Sequence, residues 1–262
     1  MALSKKFTLL VSSVILIHFL FVYATQPVET PVTDVVEITT TDNTTAANTT
    51  TPNSSVNNDQ ASDKLSIYDN LQLASLGLSK EAFEFGIKGF ENLLAAGKLH
   101  NDQIISIVDF SRASSKKRLF VIDLKNSKVL FNTYVSHGRN SGREVAQEFS
   151  NQPESFKSSL GFYVTGGTYE GKHGFSMRLM GEEPGFNDNA LSRAIVMHSA
   201  EYINESIIKH QGFIGRSLGC PALSPTIYKP IIETIRNGTC LFLYSPNKSY
   251  LTHSKLININ KA

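Results

Sequence analysis

A change in composition near residue 63 decides where this chain can build a core. Residues 25–63 consist mainly of Thr, Asn, Ser and Pro and contain almost no large side chains. Such a segment buries too little apolar surface to offset the conformational entropy that ordering would cost. We therefore predict that 25–63 is a disordered tether. The remaining chain of about 200 residues is long enough for one domain with a substantial core.

Residues 1–24 have the pattern of a secretory signal peptide. Lys5 and Lys6 precede an apolar stretch at 7–23, and small residues at its end suit cleavage after Ala24. An uncleaved anchor is the alternative, although about 17 apolar residues are at the low edge of what spans a bilayer. We expect secretion across the inner membrane to the periplasm or cell envelope, with membrane contact only through this segment if it stays uncleaved.

Composition narrows the classes of partner and cofactor. The formal net charge is +2, so no general attraction to nucleic acid is expected. Cys220 and Cys240 are the two cysteines, too few for a disulfide framework, although one bridge between them is possible in an oxidising compartment. Because no close pair such as Cys-x-x-Cys or His-x-x-x-His occurs, no metal site is predicted.

The N-terminal part of the folded region, residues 64–103, is predicted to be helical. Ser79 can cap a helix that Gly97 closes. Its apolar residues recur at helical spacing at Phe83, Ile87, Phe90 and Leu94. We expect this segment to pack against the domain that follows at 104–250.

From residue 104 onward the pattern is that of strands. Segments rich in β-branched and aromatic residues lie at 104–110, 117–124 and 128–138. Further strands are expected at 160–167, 175–181, 194–199 and 240–245. The glycine-rich segment 164–174 is interpreted as a loop at the edge of a cleft. A helix is expected after Ser224, with Pro225 in its first position. The predicted fold is mostly β with a few short helices.

The segment "GFIGRSLGCPALSP" places a cysteine in a setting typical of a nucleophile. Gly219 allows close approach of a bound carbonyl, and N–H groups there can stabilise an oxyanion. Arg216 would lower the pKa of the Cys220 thiol if it lay nearby. His198, near the end of a predicted strand, is the candidate base. The alternative is an inert, small apolar cysteine and a structural histidine.

The segment "HSAEYINESIIKHQGFIGRSLGCPAL" resembles the His…Ser-x-Gly-Cys signature of the L,D-transpeptidase (YkuD-type) catalytic domain, and more specifically the murein L,D-transpeptidase catalytic domain family. The likeness extends upstream through "YVSHGRNSG" and "AIVMHSA" and covers roughly Phe110 to Tyr244. It implies an L,D-transpeptidase-like β-sandwich or barrel, preceded by a small helical segment and acting as a monomer without a cofactor.

The resemblance also implies a reaction. A cysteine attacks the carbonyl of the third residue of a peptidoglycan stem peptide, the terminal D-alanine leaves, and an amine accepts the acyl group from the thioester. Cys220 would be the nucleophile and His198 the base. Ser217 matches the motif serine, whose backbone carbonyl would orient the histidine ring. Gly219 and Cys220 would supply the oxyanion N–H groups.

Substrate binding is less well defined by the motif. A better-known branch has an arginine two positions after the cysteine, where this chain has Ala222. Arg216 is the predicted substitute for holding a substrate carboxylate, and Arg178 and Arg193 are rival candidates. Tyr163 and His173 are further candidates for lining the substrate cleft, with a core or rim position as the alternative for each.

Two other functions fit the same sequence. An L,D-carboxypeptidase would share the thioester but pass it to water, trimming the terminal D-alanine. A non-catalytic wall-binding module on a tether would leave Cys220 incidental. A carboxypeptidase differs from a transpeptidase in its products, which are shortened monomers instead of dimers. A wall-binding module differs from both enzymes because its function does not need Cys220.

Overall fold

The computed structural model describes residues 64–258, which lie within one compact unit of the chain. The signal peptide predicted at 1–24 and the tether predicted at 25–63 lie outside the described residues. Seven strands are present: β1 Ile104–Asp109, β2 Leu119–Asp123, β3 Lys128–Thr133, β4 Gly161–Gly171, β5 Gly174–Gly181, β6 Val196–Met197 and β7 Cys240–Tyr244. They form one sheet in the order β3-β2-β1-β7-β4-β5-β6.

At the centre of the sheet, the first strand in the sequence, β1, lies next to the last, β7. β1 pairs in parallel with β7 and antiparallel with β2, while β4 lies antiparallel on the other side of β7. All five residues of β7 are buried. Phe162 and Phe242, which are partners in the β4–β7 register, stack with their ring centroids 4.1 Å apart. The hydrophobic core is therefore centred on the middle strands, and β3 and β6 are the edge strands of the sheet.

Helices flank this sheet. They are α1 at 64–70, α2 Leu73–Leu76, α3 Lys80–Ala95, α4 Glu205–Gln211, α5 Tyr228–Ile235, α6 Lys248–His253 and α7 Lys255–Asn258. Ser79 caps α3 as predicted, because its Oγ accepts the Ala82 N–H at 3.3 Å. A Cβ at Gly89 would lie 2.0 Å from the Phe162 ring, so α3 approaches β4 too closely for any other residue. The helical segment thus packs on the sheet.

The segment interpreted as a loop at 164–174 is mostly a hairpin, and this prediction is wrong. β4 continues to Gly171, with an irregularity between Thr165 and Thr168, and β5 resumes at Gly174. Gly166 and Gly167 lie at that irregularity, and Gly171 pairs with Gly174 next to the turn. The turn of this hairpin consists of Lys172 and His173.

The helix expected directly after Ser224 begins later. The Ser224 carbonyl accepts the N–H groups of Ile227 and Tyr228, so a turn precedes α5. Pro230 is the third residue of α5, in the first turn, where a backbone N–H has no helical partner to lose. Helices α4, α6 and α7 were not predicted from the sequence.

The predicted fold class, mostly β with N-terminal helices, is confirmed by this mixed seven-stranded sheet. Within residues 64–258, no helix combines the length and the apolar character that crossing a bilayer requires.

Candidate active site

The sulfur of Cys220 lies against the chain segment that leads into β6. The Val196 N–H donates to Sγ at 3.5 Å, and the thiol donates to the Ala194 carbonyl at 3.8 Å. Ala194 has φ of 53°, in the left-handed region that non-glycine residues rarely adopt. This backbone conformation turns residues 194–196 around the sulfur, and we call these three residues the sulfur cradle.

The turn that carries Cys220 is fixed from within. The Gly219 N–H donates to Ser217 Oγ at 3.0 Å, and Ser217 Oγ donates to the Cys220 carbonyl at 2.7 Å. Gly219 has φ of 129°, and a Cβ there would lie 2.9 Å from the Lys157 carbonyl oxygen, so both conformation and space require glycine. The turn holds Cys220 half-buried at its end.

This arrangement changes the expected oxyanion donors. The Gly219 N–H is already bound to Ser217, so the prediction that it serves an oxyanion is wrong in this conformation. In the part of the chain that the structure describes, the Cys220 N–H has no acceptor, and Pro221 has no N–H at all. The Cys220 amide is therefore the donor available next to the sulfur.

His198 follows β6 directly and lies on the same segment as the sulfur cradle. The Leu223 N–H donates to the His198 carbonyl at 2.9 Å, which ties the cysteine turn to the histidine segment. His198 Nδ1 is 2.8 Å from the Ser199 carbonyl oxygen. A carbonyl can only accept, so Nδ1 carries the proton and Nε2 is left as the acceptor.

The partner of the histidine ring differs from the one expected. Ser217 was predicted to orient His198 through its carbonyl, but that carbonyl accepts the Arg139 N–H at 2.7 Å. The carbonyl of Ser199, the next residue in the chain, fixes the tautomer and the orientation of the His198 ring instead. Ser217 acts through its hydroxyl, on the conformation of the cysteine turn.

A second histidine covers the first. The ring of His173, at the tip of the β4–β5 hairpin, stacks on the ring of His198 with centroids 4.5 Å apart and planes 26° from parallel. Burial lowers the pKa of His198, the Ser199 carbonyl raises it, and the charge of His173 lowers it further. The net direction is downward, so His198 is neutral at neutral pH and able to accept a proton.

The thiol is also neutral at rest. Burial raises the pKa of Cys220, and the Val196 N–H and the charge of Arg193 offset this only in part. Arg216 was predicted to lower this pKa, but the cation that acts on the thiol is Arg193. Cys220 and Cys240 are both free, so the bridge considered between them does not form. A thiol and an imidazole that are both neutral can react when the imidazole takes the proton during attack.

Comparison with known proteins places this site in a family. A model of the L,D-transpeptidase catalytic domain matches residues 74–244, which include the sulfur cradle, both histidines and the cysteine turn. The chain belongs to this family. The match begins within α2, so α3 is part of the matched domain.

Solved L,D-transpeptidases resemble this family member at low identity. One from Mycobacterium smegmatis is 14% identical with a TM-score of 0.33, over 55% of this chain and 59% of that one. L,D-transpeptidase 1 from Mycobacterium tuberculosis is 13% identical with a TM-score of 0.31, over 55% and 62%. One from Stackebrandtia nassauensis is 13% identical with a TM-score of 0.34, over 72% and 93%. The chain thus matches about three fifths of the length of the two mycobacterial structures. No curated protein matches.

Tyr163 does not line the cleft of this transpeptidase-family domain, and that prediction is wrong. It is fully buried in β4, and its hydroxyl donates to the Ser159 carbonyl at 3.0 Å. The first six residues of β4 are all buried, and Tyr163 belongs to the hydrophobic core, which keeps its ring away from any substrate.

The predicted carboxylate-binding arginines lie in different settings. Arg178 is exposed on β5, pairs with Val196 of the sulfur cradle, and holds its guanidinium 4.5 Å from the Tyr169 ring.

Arg216 is also exposed and donates through Nη1 to the carbonyls of Arg139 and Gly142 at 3.1 and 3.0 Å. Both leave donors directed to solvent, so both stay candidates. His173 is exposed beside His198 and also stays one.

A buried pair that the sequence analysis missed supports the cysteine turn. Arg118, with no exposed surface, donates to His137 Nδ1 at 2.7 Å, and His137 Nε2 donates to the Gly142 carbonyl at 3.2 Å. The His137 carbonyl in turn accepts the Ser217 N–H at 2.9 Å. Burial and the charge of Arg118 lower the pKa of His137 to about 3. His137 is therefore a structural link and does not carry protons.

Among the described residues, no group of three or more His, Cys, Asp or Glu side chains is arranged to hold a metal ion. At Cys220 the Val196 N–H donates to the sulfur, and the neutral imidazole of His198 lies on the same chain segment as the sulfur cradle. Such a set suits acyl transfer through a thiol.

Proposed function

We propose that this protein is an L,D-transpeptidase that cross-links peptidoglycan stem peptides through a thioester on Cys220. The observation that carries the proposal is the seating of the Cys220 sulfur on Ala194 and Val196, in the segment that also presents His198 in its Nδ1-protonated tautomer. A buried structural cysteine would not need a neutral imidazole on the adjoining segment with its acceptor nitrogen left open.

The first half of the reaction forms the acyl-enzyme. As Sγ of Cys220 attacks the carbonyl carbon of the third stem residue, the thiol proton moves to His198 Nε2. The oxyanion that forms accepts a hydrogen bond from the Cys220 N–H. When the C–N bond breaks, the imidazolium returns its proton to the nitrogen of the departing D-alanine. A thioester and free D-alanine result.

The second half transfers the acyl group. His198, neutral again, accepts a proton from the attacking amine of a neighbouring stem peptide. The new amide forms as the C–S bond breaks, and the proton goes back to the Cys220 sulfur. If water replaced the amine, the same steps would give a carboxypeptidase.

We also propose that the protein acts in the cell envelope, reached through the signal peptide at 1–24, with the catalytic residues in the 104–250 part of the matched domain. The family to which the chain belongs acts on peptidoglycan stem peptides, and the predicted tether at 25–63 would give the domain reach in the wall.

The test is a product analysis. Purified peptidoglycan would be treated with the protein, digested to fragments, and the fragments separated and weighed. We expect new cross-linked dimers with the wild type and with Cys240→Ala, and none with Cys220→Ala. Shortened monomers without dimers would favour the carboxypeptidase. Equal products from the wild type and Cys220→Ala would exclude a catalytic role for Cys220.

A further inference from the structure

Arg193 stands out because its charge is half-buried without a counter-ion. Within residues 64–258, no Asp or Glu forms an ion pair with it. Instead Nη1 donates to the Ser150 carbonyl at 2.8 Å and to Ser159 Oγ. Nη2 donates to the Lys157 carbonyl at 2.8 Å and to Ser155 Oγ at 3.2 Å. Four of its five N–H donors are used in this way.

These contacts remove Arg193 from the candidates for binding a substrate carboxylate. A fork-to-fork contact with a carboxylate needs two free N–H groups on one edge of the guanidinium. Both terminal nitrogens already donate twice to neutral protein groups, which leaves only the Nε–H. The sequence-based suggestion that Arg193 competes with Arg216 for that role is therefore wrong in this conformation.

The same contacts place the guanidinium against the cysteine turn. A Cβ at Gly219 would lie 3.4 Å from Arg193 Nη2, so this nitrogen lies close to the backbone just before Cys220. Arg193 also immediately precedes Ala194, the first residue of the sulfur cradle. Through one side chain, the segment 150–159 is bound to the residues that surround the sulfur.

The titratable groups that interact with the Cys220 sulfur, or lie on the adjoining segment, differ in charge. Tyr163 from β4 and Tyr202 interact with Cys220, and burial raises the pKa of both, so both are neutral. His198 is neutral because burial lowers its pKa. Arg193 is the positive charge that acts on the thiol.

We propose that Arg193 is a positioning residue that fixes the sulfur cradle and supplies the positive charge that stabilises the Cys220 thiolate as it forms. The neutral acceptors around the guanidinium leave its charge uncompensated, and a nearby cation favours a thiolate. The inference rests on the proposed role of Cys220 as nucleophile, but it concerns the thiol itself and can be tested without peptidoglycan.

The test measures the rate of Cys220 alkylation by iodoacetamide as a function of pH, in a Cys240→Ala background. Arg193→Gln should raise the apparent pKa of alkylation by about one unit, which is roughly a tenfold smaller thiolate fraction at neutral pH. Arg193→Lys keeps the charge and should restore most of the wild-type profile. Arg216→Gln, which removes an exposed arginine near the same turn, should leave the profile unchanged.

The comparison of lysine with glutamine separates charge from structure. If both variants shift the profile equally, Arg193 acts only as a packing group and the proposal is overturned. No shift with Arg193→Gln overturns it as well. If Arg193→Gln does not fold, Arg193→Lys decides alone, and a rise of a full unit in that variant contradicts the proposal. Should peptidoglycan cross-linking fail while the alkylation results hold, the proposed function fails and the role of Arg193 stands.

Discussion

At Cys220, burial and charge act on the thiol pKa in opposite directions, and burial dominates. At His198, burial also dominates and lowers the pKa. The two shifts move the pair away from a preformed thiolate and imidazolium. In the proposed reaction the proton is therefore transferred at the moment of attack, which needs His198 to be neutral and its tautomer fixed by Ser199.

The pH dependence of activity follows from His198. Because its pKa lies below the ordinary value of about 6.5, the protein should keep activity as the pH falls to that value and lose it only below, when Nε2 becomes protonated. His173→Ala and His173→Phe both remove the neighbouring charge and should move the acid limb to higher pH. The measurement is kcat/KM for D-alanine release against pH. An unchanged acid limb in both variants would mean that His173 does not influence the base.

Tyr163 should matter for stability and not for substrate. Tyr163→Phe removes the hydroxyl that donates to the buried Ser159 carbonyl, which should lower the free energy of unfolding by about 1 kcal/mol. KM for a stem peptide should stay at the wild-type value. Denaturant unfolding and steady-state kinetics on the same preparation test this. A raised KM with unchanged stability would restore the cleft position that the sequence suggested.

At the scale of elements, the link from β2 to the cysteine turn runs through Arg118 and His137. Because the pKa of His137 is about 3 in the folded protein, only the unfolded state binds a proton there as the pH falls below about 6.5. The free energy of unfolding should therefore decrease from pH 6.5 toward 3.

The control for this prediction is His137→Asn. The variant should be less stable than the wild type at neutral pH, because the contacts with Arg118 and Gly142 are altered, but its stability should fall less steeply with acid. His198 contributes in the same direction in both proteins, so the difference in slope isolates His137. Equal slopes in urea unfolding series would refute the assignment of a neutral His137.

The C-terminal helices are held by one buried carboxylate. Glu183 accepts the Phe162 N–H and the Tyr250 hydroxyl, each at 2.8 Å, and also the Ser254 hydroxyl. Glu183→Gln replaces an acceptor with a donor that faces these donors, which should cost about 2–3 kcal/mol of unfolding free energy. The adjacent Glu182→Gln is the matched control.

Glu182 contacts only the well-exposed Lys98 at 3.3 Å among charged groups of the described chain. Its substitution should cost at most about 1 kcal/mol. Thermal unfolding of both variants provides the comparison. Equal losses would show that the buried contacts of Glu183 do not anchor α6 and α7.

The sequence predicted the individual strands better than their arrangement. β-branched and aromatic residues mark β1, β2 and β3 because those side chains suit a pleated, buried surface. The parallel pairing of β1 with β7 joins segments far apart in the chain, which no local pattern records. The extended hairpin over 164–174 was missed because glycines usually signal a loop, yet here Gly166 and Gly167 lie at an irregularity within β4 and Gly171 pairs with Gly174.

In the candidate site, too, some residues could be predicted from the sequence, while the contacts around them could not. Cys220 and His198 were found because their side chains carry the motif. The roles of Ser199 and Ala194 come from backbone carbonyls, which any residue type supplies, so the sequence gives no signal for them. Arg193 was noticed as a charge, but its four acceptors come from segment 150–159, and only the folded chain brings them together.

At the scale of the whole molecule, the L,D-transpeptidase family domain carries the candidate nucleophile Cys220 at the edge of its sheet, next to β6. The seven-stranded sheet brings the end of β6, the tip of the β4–β5 hairpin and the cysteine turn to one place. There the neutral thiol accepts the Val196 N–H, the segment that supplies this N–H also carries the neutral imidazole of His198, and the guanidinium of Arg193 lies near the turn. Each of these groups can be removed without touching the core of the sheet, so catalysis and stability can be tested separately.

The most direct test of the central claim is the intact mass of the protein after rapid acid quenching with a tetrapeptide stem donor. We predict an added mass equal to the donor less D-alanine, located on the peptide that contains Cys220. His198→Ala should form this adduct much more slowly, and Cys220→Ala should form none. Release of D-alanine by Cys220→Ala at the wild-type rate, with no adduct on either protein, would contradict the account.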